Sequence, residues 1–423
     1  MANQFSKDEM VAFEDILEGF QDGLVLSRNV DKYNTDQTMM ERTGDVIWRP
    51  QPYIAQSFDG TDQTSNFQDM TQLSVPATIG YNKSSPWIMT ATELRDALQE
   101  KRLGEAAKQK LASDINIAVM SVAALEGTLV VARSAAASGF DDVAACEAIM
   151  NEQGVQSFDR YLALSTRDYN GMASNLAGRA TMTGKPTTAY ERAYVGNVAG
   201  FETFKLDYAN RLLAAAGGAG ITIDTRDAAV NYYTPQATSV ATTGQISNVD
   251  NRYQTITVSS SANVRAGDCF TIAALNAVHH ITKSDTGQLK TFRVISVPAG
   301  GTTLVISPPI ITAQGGTDAE LQYQNCVINT KAANSAIVFL NTVAASMNPF
   351  WQKDAIEILP GRYAVPTDAG AAVMRASTDQ GIELVLQKQY DINTMKIKYR
   401  LDTRFGVCNK QPEMTGILLF SQT

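Results

Sequence analysis

The 423-residue sequence is short of several kinds of chemistry. It has two histidines, the adjacent pair His279 and His280. Histidine-based catalysis has almost no material here, and neighbours on a strand point to opposite faces, so a packed or solvated pair fits better than a shared metal. The four cysteines, Cys146, Cys269, Cys326 and Cys408, make no CxxC pair. With no basic, apolar leader in MANQFSKDEM, they read as free, buried thiols. Every apolar run of membrane-spanning length is interrupted by charged or strongly polar residues, so no transmembrane helix is expected. Basic charge is in the minority: 35 Lys and Arg against 43 Asp and Glu give a net charge of -8. That argues against broad electrostatic binding to nucleic acid but does not exclude proximity to it.

Phosphate and metal motifs are missing too. Between Gly178 and Gly184 the second glycine falls one residue late for a phosphate loop, and Pro186 takes the Ser/Thr place after Lys185. Gly217-Gly-Ala-Gly220 precedes no clear helix and reads as a linker. Asp59 and Asp62 lack the further oxygen ligands and closing glutamate of an EF-hand. No metal site and no cofactor is expected.

What is present is a folded composition, 44% hydrophobic and 18% charged, long enough for two or three domains. Its organising stretch is Ala106–Ala132. There Leu111, Ile115, Ala118, Val122, Leu125 and Leu129 recur at spacings of four and three, the stripe of an amphipathic helix roughly 40 Å long. From Ala118 onward it is apolar nearly all round, so more than one neighbour must cover it. Thr90-Ala-Thr-Glu93 is a capping signal leading toward this spine.

Ahead of it, Ser6-Lys-Asp-Glu9 caps a helix expected over residues 7–27, with Phe13, Leu17, Phe20 and Leu24 on one face. The other face carries Glu14, Asp15, Glu18 and Asp22: either a solvated face or a dock for a basic partner helix. Val46–Trp87 is polar and turn-rich around Asp59-Gly60, and reads as a long hairpin arm ordered by a neighbour, or as a disordered loop.

Behind the spine, helices and strands alternate: a helix over Asp141–Gln153, a buried strand over Arg160–Leu164, and a helix capped by Ser165-Thr-Arg-Asp168. From Ile221 the composition turns to Thr, Ser, Val and Gly. Strands are expected at Tyr253–Ser259, Cys269–Ala273, Leu289–Val297 and Thr303–Ser307, describing an all-β barrel or sandwich inserted in an α/β chain. The tail adds alternating strands at Gly381–Gln389 and Thr394–Asp402. Their wet face carries Lys396, Lys398 and Arg400, which suit carboxylate partners better than nucleic acid.

This order, with Val249-Asp-Asn-Arg-Tyr253, Val264-Arg-Ala-Gly-Asp268, Val198-Ala-Gly-Phe201, Phe350-Trp-Gln-Lys-Asp-Ala-Ile356 and Gly406-Val-Cys-Asn-Lys-Gln-Pro-Glu413, resembles the coat proteins of tailed bacteriophages. The similarity is to the Hong-Kong-97-type (HK97-like) capsid fold, an α+β class, in its P-twenty-two-like podophage branch with an insertion domain. The resemblance implies an N-terminal arm at 1–30, an E-loop at 31–91, a P-domain spine at 92–138, and an A-domain at 139–220 and 336–423 that shares strands with the P-domain. An inserted β-barrel would occupy 221–335.

It implies a major capsid protein that is not an enzyme. It would self-assemble as hexamers and pentamers into an icosahedral procapsid around scaffolding protein, with a portal protein, and mature on DNA packaging. It would enclose double-stranded DNA without sequence-specific binding or membrane contact, in a virion assembled in the host bacterial cytoplasm. Glu14, Asp15 and Glu18 are then scaffold-docking candidates, and Asp59, Asp62 and Phe67 E-loop contacts to a neighbouring subunit. Thr234–Asn248 carries no charge where the branch has charged inter-capsomer contacts, leaving Asp250 and Arg252 as candidates. Lys83 and Asn82 are present, but no covalent cross-link is expected. The alternatives are an encapsulin-like compartment shell, or a soluble hydrolase using Asp141, Asp142 and Glu147.

Overall fold

A computed structural model describes residues 5, 7–33, 46–52, 54–55, 57, 59–64, 67, 69–90, 92–93, 97–178, 195–217, 220–223, 232–328, 335–364, 372–378 and 380–423. They form two units, one of residues 1–47, 76–121 and 356–408, the other of 48–75, 122–355 and 409–423.

In the first unit, helix α1 (Lys7–Gly23) buries Phe13, Ile16 and Phe20, while Leu17 is only half-buried. The helix stops at Gly23, short of the expected residue 27, and a 3-10 turn follows at Ser27–Asn29. The expected N-cap, Ser6, lies outside the described residues. Glu9 is used elsewhere: its carboxylate pairs with Lys388 Nζ and accepts from Tyr399 Oη at 3.2 Å. Helix α1 lies close on the spine, where a Cβ on Gly104 would stand 2.7 Å from Ile16 Cδ1.

The spine helix α2 spans Ala97–Glu126, about 45 Å at 1.5 Å per residue. Ahead of it Thr90 and Glu93 bond reciprocally: Thr90 N donates to Glu93 Oε2 at 2.8 Å and Glu93 N to Thr90 Oγ1 at 3.4 Å. Leu111, Ile115, Ala118 and Val122 are buried as expected, but Leu125 is exposed. The helix also ends earlier than expected. A Cβ on Gly127 would stand 2.8 Å from Ala123 O and 3.0 Å from Gly416 N, so only glycine fits where the chain leaves the helix. Leu129–Ala132 is then a strand, parallel to Thr415–Leu419. The apolar run Leu129–Ala132 belongs to a strand, which periodicity does not separate from a buried helix over so short a run.

A six-stranded sheet completes this unit: Asp31–Lys32, Ile356–Pro360, Lys396–Asn409, Glu383–Asp391 and Ala372–Ser377 in spatial order, with Tyr81–Thr90 also on Lys396–Asn409. Ten residue pairs, from Tyr81↔Phe405 to Thr90↔Lys396, fix that last register. Lys396–Asn409 is therefore flanked on both sides rather than lying at an edge. Trp87 stacks on Tyr399 on the inner face, with centroids 5.5 Å apart.

The second unit holds a mixed sheet and a barrel. The sheet runs Leu129–Ala132, Thr415–Leu419, Asn348–Gln352, Arg160–Ser165, Phe201–Leu206 and Asn197–Val198. Helices α3 (Phe140–Glu152) and α4 (Thr166–Gly178) cover it, burying Val143, Cys146, Met150, Tyr169 and Met172 with Leu162, Phe201 and Phe350. Ser165 caps α4, its Oγ donating to Asp168 Oδ2 at 2.7 Å. Of the phosphate-loop region that the sequence argued against, residues 179–194 lie outside the described set.

The barrel orders its strands Thr222–Ile223, Ser335–Phe339, Cys269–Val278, Asp285–Ser296, Thr303–Ser307 and Gln254–Thr257, with Cys326–Ile328 beside Cys269–Val278. An Ile223↔Val258 bridge closes it. All four expected strands are present, and Ser335–Phe339, expected to start the returning domain, is a barrel strand whose Ile337 joins the barrel core. The core is Ile256, Phe270, Phe292, Val294, Leu304 and Ile306 among others, distinct from that of the mixed sheet.

Candidate assembly surfaces

Alternation along α1 decides what it offers outward. With Phe13, Ile16 and Phe20 turned in, Glu14, Asp15 and Glu18 fall on the exposed side of the helix. The three carboxylates expected on this face therefore lie at the surface of an anchored helix.

In the arm expected over Val46–Trp87, the described residues around Asp59-Gly60 form no tight hairpin. Val46–Pro50 pairs with Ser74–Thr78, but no strand forms among the described residues between them. Polar side chains there bond their own backbone instead of building a ladder: Asp62 Oδ1 accepts from Thr64 N at 3.1 Å and Thr64 Oγ1 at 2.6 Å. Those bonds hold the Asp62 carboxyl below its ordinary pKa. Asp59 is exposed, and Phe67 is 87% exposed. The end of the segment rests on the barrel side of the chain. Leu73 is buried with Ile311 and Tyr323, Tyr323 Oη donates to Thr71 O at 2.8 Å, and Thr71 N donates to Gln322 Oε1 at 3.1 Å.

Asp250 and Arg252 stand inside the second unit, not free on its surface. Arg252 is 8% exposed; it donates to Asp250 Oδ2 at 2.8 Å and Asn409 O at 2.9 Å, and lies 3.8 Å from Glu126 at the end of α2. Burial, opposed by Arg252, raises the Glu126 pKa. The uncharged stretch next to them is a small exposed ribbon, Thr238–Val240 on Ile246–Asn248. Asn251 ties its base, accepting from Tyr233 Oη at 2.9 Å and Gln236 N at 3.0 Å.

The basic stripe of Lys396–Asn409 is exposed but matched by carboxylates. Lys398 Nζ lies 3.5 Å from Asp391, Arg400 Nε is 2.7 Å from Asp402, and Lys396 helps to lower the Glu93 pKa after the two Thr90 bonds. Asp142, a carboxylate considered for hydrolysis, is buried at the start of α3. It accepts from Ser138 N at 2.8 Å, Gly139 N at 3.2 Å and Arg133 Nε at 2.9 Å. The four cysteines are free and buried. No group of three or more metal-ligating side chains occurs among the described residues.

One charged cluster was not found from sequence. Lys290, on the barrel strand Asp285–Ser296, is 1% exposed and pairs with Glu413 in the turn before the last strand. Lys290 also donates to Gln153 Oε1 at 2.8 Å, Asn325 Nδ2 donates to Glu413 Oε1 at 3.1 Å, and His280 Nε2 lies 3.4 Å from Glu413 Oε2. The available signal was a lysine and an arginine breaking the apolar alternation of LKTFRV.

A coat-protein model accounts for nearly the whole chain. The P22 coat protein model (gene protein 5) matches residues 1–421. The chain belongs to the P22 coat protein family. As a member it is a major capsid protein of a tailed bacteriophage, with the HK97-type fold. Among solved structures, Mycobacterium phage Che8 is similar at 10% identity and TM-score 0.46, over 93% of this chain and 90% of that one. The capsid of cyanophage P-SCSP1u is similar at 10% identity and TM-score 0.42, over 93% and 86%. The coat protein I-domain of CUS-3 is 38% identical over 30% of this chain and 99% of its own, with TM-score 0.22.

Proposed function

We propose that this coat protein closes into hexamers and pentamers of an icosahedral procapsid around a scaffolding protein that docks on Glu14, Asp15 and Glu18. A portal protein occupies one vertex. The shell takes up double-stranded DNA without reading its sequence, and assembly takes place in the host bacterial cytoplasm. The observation that carries this reading is the exposed acidic face of α1, held in place by Phe13, Ile16 and Phe20 beneath it. An exposed ion pair contributes only about 0–1 kcal/mol, so single contacts stay reversible. Repetition over many subunits makes them sufficient to guide assembly and still permits later release.

In this shell the 51–73 segment reaches a neighbouring subunit. Phe67 supplies the apolar contact and Asp59 a polar one, while Asp62 shapes the local turn. Arg252 serves as an internal post, and with Asp250 it holds the base of the uncharged ribbon that faces the next capsomer. Electron microscopy of the protein, alone and with a scaffold carrying a basic helical end, tests the proposal. Closed shells of regular size with scaffold are expected. Glu14→Lys/Asp15→Lys coat should form shells lacking scaffold; normal scaffold content in that variant would refute the docking site.

A further inference from the structure

The apolar cores of the barrel and of the mixed sheet are separate, and polar side chains join them. Beside the Lys290–Glu413 pair, Thr291 Oγ1 donates to Thr128 O at 2.8 Å and Arg293 Nη1 to Gly127 O at 3.3 Å. His280 N donates to Gln153 O at 3.3 Å. A seam of this kind opens more readily than an apolar one, because water can replace each of its bonds.

We propose that His280, Glu413 and Lys290 form a proton-sensitive clasp, which keeps the barrel docked at neutral pH and lets it swing from the mixed sheet in acid while both remain folded. The geometry places the sensitivity at one atom. His280 Nε2 faces Glu413, so an added proton goes to Nδ1, which is sealed from solvent and has no hydrogen-bond partner among the described residues. An N–H there, with no acceptor, is costly to keep buried. Once undocked, the same nitrogen meets water and takes its proton freely.

The charged surroundings agree. Glu413, from the last turn, faces His280 on one side. Lys290 from the barrel strand, and Lys283 and His279 from its own turn, oppose a further positive charge. Burial, with those cations, pushes the His280 pKa down to about 4, and burial pushes Lys283 down to about 8. Burial works to raise Glu413, but Lys290 and His280 outweigh it and leave the carboxyl below its ordinary value. The Cys326 thiol nearby is pushed up to about 12 by burial, so it stays protonated and takes no part. For a base whose docked pKa lies below its free value near 6.5, docking is fully favoured above that value. The preference is then lost as the pH falls toward 4.

Hydrogen exchange of the unassembled full-length chain tests the clasp, with uptake corrected for intrinsic rates. Protection of the seam amide of residue 280, whose N donates to Gln153 O, should fall by about 30-fold between pH 7.5 and 5, and by up to about 300-fold in the acid limit. Amides of Gln254–Thr257 and Thr303–Ser307 in the barrel should keep theirs. In His280→Gln, whose amide can still face Glu413, seam protection should be flat over this range. An unchanged pH profile in His280→Gln overturns the proposal, as does simultaneous loss of the barrel amides. If that variant does not fold, the NMR titration of His280 in the native chain decides: a midpoint near 4 supports the clasp and one near 6.5 refutes it.

Discussion

The barrel and the 51–73 segment belong to one unit and have similarly polar, turn-rich sequences, yet they are ordered in opposite ways. The barrel places an apolar residue at alternate positions on nearly every strand, and Ile256, Phe270, Phe292, Val294, Leu304 and Ile306 bury one another. Among its described residues the segment sets only Leu73 fully inside, half-buries Ile54, and leaves Phe67 and Met70 in solvent. One region generates its order; the other borrows it, through Tyr323 and Gln322 of the barrel side. Polarity alone therefore says little about independence. What matters is whether the apolar residues fall on one face of consecutive strands, where their burial offsets the entropy of ordering.

The strongest way to break this contrast is Phe292→Ala. It should cost about 3–5 kcal/mol in urea denaturation, the usual loss for a buried phenylalanine, whereas Phe67→Ala should change the same midpoint by less than about 0.5 kcal/mol. Comparable losses would mean that the segment carries a core of its own.

Of similar size is the effect of leaving one charge buried alone. Lys290→Met strands Glu413 and should destabilise by about 3–5 kcal/mol, while Lys290→Met/Glu413→Gln should recover a large part of that loss. Strict additivity of the two substitutions, measured by the same denaturation, would show that the pair is uncoupled.

A smaller effect sharpens the idea of borrowed order. Tyr323→Phe removes one bond to Thr71 O and should cost about 1 kcal/mol. Limited proteolysis should then cut faster within residues 51–73 while the barrel resists as before. Unchanged cleavage there would mean that the Leu73 contact and the Thr71–Gln322 bond hold the segment without it. The smallest effect on the isolated subunit is that of Glu14→Lys/Asp15→Lys. Its melting temperature should stay within about 2 °C of the parent, since the side chains are exposed, and only assembly with scaffold should change.

Local signals explain what could be seen in advance. The α1 face, the Thr90–Glu93 and Ser165–Asp168 capping pairs, and the barrel strands each depend on residues within a few positions of one another. The missed features depend on distant partners. Nothing near Arg252, a candidate for an inter-capsomer contact, announces its bond to Asn409, 157 positions on, or its approach to Glu126. The Lys290–Glu413 pair spans 123 positions. The spine was read too long because Leu129–Ala132 suits a buried helix or a buried strand equally, and its partner strand lies at the far end of the chain.

By itself the sequence determined which faces are apolar, where helices are capped, where four of the barrel strands lie, and that the outer side of α1 is acidic, because period and capping are properties of neighbouring residues. Only the tertiary structure decided where the spine gives way to a strand, that Arg252 and Glu413 work inside the chain, and that the 51–73 segment leans on the barrel side. Those outcomes depend on which distant groups meet with water excluded, and spacing along a chain carries no record of that.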